Sequence, residues 1–134
     1  MYKTILTALI AGFSLTAPAW AHEGEHHEDH THAAPHGGVV STVQQFHFEL
    51  VSKGNQIKVY LLDDKLKLLP TKGRTGEAIV QMNGKTHRIV LKPNGEAFTG
   101  QLDLSKATKY VAVISLRIDG KMYRGRFSQP SHAL

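Results

Sequence analysis

The chain has 134 residues, 41% of them apolar, with 16 Lys and Arg against 11 Asp and Glu and no cysteine. That length suits one domain of roughly 100 residues and not two. The missing cysteine excludes thiolate metal centres, thiol redox chemistry and a disulfide framework, so the fold must stand on its core alone.

Residues 1–21 read as a secretory signal. Lys3 is the positive start, residues 4–17 form an apolar stretch too short and interrupted to span a bilayer, and Ala19-Trp20-Ala21 is an A-x-A cleavage site. The expected product is a periplasmic protein with no membrane anchor after cleavage. Cleavage after Ala21 makes His22 the mature terminus, where the amine and the imidazole of one residue can chelate Cu(II) together.

Six of the nine histidines follow within fifteen residues: His22, His26, His27, His30, His32 and His36. Glu23, Glu25, Glu28 and Asp29 fill most of the gaps, and the segment has no Lys or Arg. Imidazole nitrogen is the usual protein ligand for zinc, copper and nickel, with carboxylate as a common further donor. The spacing matches neither a closed structural site nor H-E-x-x-H, so residues 22–37 read as a disordered leader with several overlapping metal sites. Pro35 and Gly37-Gly38 mark its boundary with the folded part. Two glycines after His36 permit positive φ and close backbone approach.

From Val39 the pattern has period two, with turn signals roughly every ten residues. Phe46, Phe48 and Leu50 alternate with His47, Glu49 and Val51. That places His47 and Glu49 on the face opposite the core, as a metal-binding His-x-Glu pair or as a solvated face. Lys53-Gly54-Asn55 predicts a turn, and Ile57, Val59 and Leu61 predict the next strand. Leu66–Pro70 reads as a short extended piece. Residues 77–82 and 85–91 flank Asn83-Gly84, and residues 109–118 and 121–127 flank Asp119-Gly120; both pairs are two-residue hairpin signals. Pro93-Asn94-Gly95 separates residues 85–91 from a strand at 96–103, and Asp103–Thr108 allows one helical turn. The expected fold is all-β: an antiparallel immunoglobulin-like β-sandwich of seven or eight short strands over residues 38–128, with a flexible tail at 129–134. Its core is expected to contain Phe46, Phe48, Leu50, Ile57, Val59, Leu61, Ile79, Ile89, Leu91, Phe98, Leu102, Ala112, Ile114, Leu116 and Phe127.

No Gly-rich phosphate loop, G-x-S-x-G elbow or cysteine nucleophile is present, so no enzyme is expected. From Gly37 onward there are 15 basic and 7 acidic residues. They are spread along the strands rather than clustered with aromatics, which excludes a nucleic-acid partner and leaves a basic face.

PHGGVV (35–40), FHFELV (46–51), IKVYLLDD (57–64), LPTKG (69–73), GEAIV (76–80), LKPNGEAF (91–98) and GRF (125–127) together resemble the small periplasmic β-domain of heavy-metal efflux adaptor proteins and its stand-alone relatives. The resemblance implies metal handling by the leader and the HGG motif, with His36 and His47 as further ligands. It also implies a heavy-metal efflux pump component as partner. A full adaptor has further coiled-coil, lipoyl-like and barrel domains, so the resemblance implies metal binding or delivery and no role in pump assembly. The expected function is to buffer or deliver a divalent transition metal, copper, zinc or nickel. The alternative is a protein-interaction module whose sandwich docks an efflux or envelope partner, with the leader incidental.

Overall fold

Apolar residues at alternate positions and left-handed turn residues between them produce eight strands. The computed structural model describes residues 34–129; the expected signal, the leader up to residue 33 and residues 130–134 lie outside the described residues. The strands are β1 (Val39–Val43), β2 (Phe46–Lys53), β3 (Gln56–Leu62), β4 (Thr75–Met82), β5 (Lys85–Asn94), β6 (Ala97–Gln101), β7 (Tyr110–Ile118) and β8 (Lys121–Gln129). A single 3-10 turn, Leu104–Lys106, precedes β7, with Asp103 accepting from the Ser105 amide at its start. Asn83 and Gly84 have φ of 52° and 71°, and Asp119 and Gly120 have 51° and 81°. Two consecutive left-handed residues make the type I′ hairpin that these pairs favour.

All pairings are antiparallel, and the strands form one sheet in the order β1-β2-β3-β6-β5-β4-β7-β8. Strands β4, β5 and β6 form a meander, and β7 returns to lie beside β4, which is a Greek key. Strand β5 turns the corner: it pairs with β4 over Lys85–Leu91 and with β6 over Lys92–Asn94. The sheet folds over itself into a sandwich that is nearly a barrel. The two end strands meet at Gly125, where a Cβ would lie 2.9 Å from Val43 Cγ2 and 3.0 Å from Phe48 Cδ2. Beside that contact Phe46 meets Tyr123 edge to face, with centroids 5.0 Å apart.

The core between the two layers holds Phe48, Phe98, Phe127, Leu61, Ile114 and Leu116, all fully buried. Each such side chain contributes roughly 1.5–3 kcal/mol on burial, and no disulfide supplements them. Phe46, Ile89 and Leu102 sit at the core's margin. Ile79 differs from expectation. In β4 the inward residues are Ala78 and Val80, so Ile79 faces out. Pairing with β7 sets this: Gly76, Ala78 and Val80 lie beside inward Leu116, Ile114 and Ala112, and at Gly76 a Cβ would stand 2.6 Å from Leu116 Cδ2.

Candidate functional site

The site is built on β2. Phe48 and Leu50 point into the core, so the pleat turns His47 and Glu49 to the opposite face. The sequence allows a solvated face there; instead His47 is 8% exposed and Glu49 0%. Two segments cover it. The loop after β3 lies over His47, whose Nδ1 donates to the Asp63 carbonyl at 3.0 Å. The same loop is stitched to β3 by a bridge between Leu62 and Leu68 and by the Leu69 amide donating to Leu61 O at 2.9 Å. The turn that precedes β1 lies over Glu49.

That turn explains the His-Gly-Gly motif. Glu49 Oε2 accepts the His36 amide at 2.8 Å and the Gly38 amide at 3.0 Å. Glu49 Oε1 accepts from His36 Nδ1 at 2.7 Å. Gly37 between them has φ of 74°, the left-handed conformation that lets its two neighbours aim their amides at one oxygen. Gly38 lies so close to β2 that a Cβ would stand 2.3 Å from Leu50 O. The turn is closed by the Gly37 amide donating to Ala34 O at 3.1 Å. A buried carboxylate without solvent needs such donors, and here the motif supplies all three.

The His36 ring lies flat on Tyr60, with centroids 3.6 Å apart and planes 2° from parallel. Tyr60 is the cross-strand neighbour of Glu49, so the ring rests on one and bonds to the other. A carboxylate only accepts, so the proton of the neutral ring sits on Nδ1. The other nitrogen, Nε2, has no partner among the described residues. The side chain is 26% exposed. A carboxylate holding Nδ1–H of a histidine and freeing Nε2 is the usual outer-shell arrangement of metal-ligating histidines.

Asp63 anchors the loop over His47. Its Oδ1 accepts the Lys65 amide at 2.8 Å and the Lys67 amide at 2.9 Å. The Lys67 amide is the main influence holding the Asp63 carboxyl below its ordinary value. His47, like His36, is tied through Nδ1 to a protein oxygen.

Of the sequence-predicted ligands, His36 and His47 lie on one face of the β2 layer. His22, His26, His27, His30 and His32 lie outside the described residues. Among the described residues no group of three or more His, Asp or Glu side chains is arranged to hold a metal. His36 therefore offers one oriented donor rather than a complete site. Glu49 and Tyr60, which orient it, escape a sequence reading. The available signal is one acid inside the apolar run Phe46–Val51, in a strand that buries both faces. Compared with protein-family models, curated proteins and solved structures, the chain matches none.

Proposed function

We propose that the protein is an exported metal-binding protein that buffers a divalent transition metal, copper, zinc or nickel, or delivers it to a heavy-metal efflux system. The observation that supports this reading is the Glu49–His36 pair: the fold holds Nδ1 and leaves Nε2 as an oriented donor. His36 is a donor fixed by the fold, whereas His22, His26, His27, His30 and His32 supply a dense series of imidazoles just upstream in sequence. Donors that must be neutral to ligate give exchange that depends on pH.

Isothermal titration of residues 22–134 with Cu(II), Zn(II) and Ni(II) tests the reading. Stoichiometric binding is expected at pH 7.5, weakening sharply below about pH 6, where ordinary imidazoles take up protons. A chain starting at Ala34 should lose most of the bound metal. Undiminished stoichiometric binding at pH 5, or no heat with any of the three ions, would count decisively against it.

A further inference from the structure

Four of the chain's five arginines share one outer surface of the sandwich. Strands β5, β4, β7 and β8 lie side by side, and the residues alternating with inward Ala78, Val80, Ala112, Ile114 and Phe127 face out. One cross-strand row reads Arg88–Ile79–Val113–Arg126. In the next row Arg124 stands opposite Ser115, and Arg117 lies two residues further along β7. A strip of half-buried Ile79, Val113 and Val111 thus runs between arginine columns, with Val90 67% exposed beside it. The acid on these rows is Glu77, and it is taken by Arg88 at 2.5 Å. Arg117 donates to Gly120 O at 3.1 Å. Arg124 and Arg126 are exposed and have no partner among the described residues.

A solvated face of an antiparallel sheet commonly carries polar residues in alternation with the apolar residues turned inward. An apolar strip framed by arginines has instead the composition of a docking surface. We propose that this face binds an acidic polypeptide segment. An apolar side chain of the partner lies on Ile79 and Val113, and its carboxylates pair with Arg124 and Arg126. Charge selects the class: two arginines on one strand face, without internal partners, suit forked pairing with carboxylates. No Phe, Tyr or Trp stands on these rows to stack nucleic-acid bases. The strip is made of short β-branched residues lying in the sheet, not of the protruding aromatic and Leu side chains that enter a bilayer. At the Ser128 end the face opens into a cleft of about 790 Å³, where Lys85 and Lys109 join Arg126. The partner's acidic run can continue into it. This surface is independent of the metal reading.

The test uses residues 22–134 and a fluorescent decapeptide of alternating Glu and Val, at low salt. The expected result is saturable binding that fades with added salt, with amide shift changes confined to β5, β4, β7 and β8. The variant R124Q/R126Q, which changes two exposed side chains, should bind about tenfold more weakly. The variant K53Q/K72Q removes equal charge elsewhere and should bind as the parent does. The proposal is overturned by absence of binding, by equal loss in both variants, or by parental binding in R124Q/R126Q. It is also overturned if phosphatidylglycerol vesicles or a single-stranded oligonucleotide compete better than the peptide at equal charge.

Discussion

Glu49 concentrates the energetics of the site in one carboxylate. It is fully buried and accepts three donors, all from residues 36 and 38. Replacement by Gln preserves shape and still lets one oxygen accept the two amides. The amide nitrogen then faces His36 Nδ1 and must donate to it. Glu49→Gln should therefore move the ring proton from Nδ1 to Nε2, removing the lone pair that makes His36 a ligand. The expected stability loss is about 1.5 kcal/mol, the difference between a charge-assisted and a neutral hydrogen bond, read as a lower urea midpoint. Nitrogen shifts of the His36 ring report the tautomer directly. An Nδ1–H ring in the variant would mean that Glu49 does not set the proton's position.

At the scale of elements, the loop joining β3 to β4 is the second cover of the buried face, and Asp63 organises it. Its carboxyl is held below the ordinary value of 3.8 by the Lys67 amide first, with further help from the Lys65 amide. A carboxylate whose folded value is depressed stabilises the fold above its unfolded value, and the contribution is lost as pH falls through the folded value. Protection of the Lys65 and Lys67 amides from hydrogen exchange should therefore persist at pH 5 and collapse well below pH 3.8. In Asp63→Ala it should be missing at every pH. Unchanged protection in that variant would show that the bridge at Leu68 holds the loop without the carboxylate.

The same elements show what a sequence can and cannot declare. Asn83-Gly84 and Asp119-Gly120 announce their hairpins because the turn is a local requirement, met by the two residues themselves. The short extended piece near Leu68 and the turn at Leu104–Lys106 are legible for similar reasons. The facing of β4 is not. Ala78-Ile79-Val80 is apolar on both faces, and the choice is made by pairing with β7, which sets Ala78 and Val80 beside inward Ile114 and Ala112. Glu49 is hidden for a stronger version of that reason. Its three donors come from 11 and 13 residues away, so only the folded chain makes a buried acid in β2 tolerable. His36 is legible as a donor, but its orientation depends on Glu49 and Tyr60.

For the whole molecule, the consequence is where the folded unit can be cut. The core strands run from β1 to β8, yet the donors to Glu49 lie before β1, in the turn that begins at Ala34. A protein starting at Ala34 keeps every described contact of the sandwich and should unfold in urea with the midpoint of residues 22–134. A protein starting at Val39 keeps β1 and the core but loses the three donors to Glu49 together with the turn that covers it, so water replaces them. Exchanging three protein hydrogen bonds for water should cost about 3 kcal/mol, a large share of the 5–15 kcal/mol typical of a domain. The distinction bears on metal titrations. A cut at Val39 removes His36 and weakens the fold together, so lost binding there has two causes. A cut at Ala34 removes only the upstream imidazoles. If the two shortened proteins share one urea midpoint, the turn is a dispensable cover over β2. A lower midpoint only for the Val39 form makes the His-Gly-Gly turn part of the folded domain, with the ligand atom of His36 belonging to the fold.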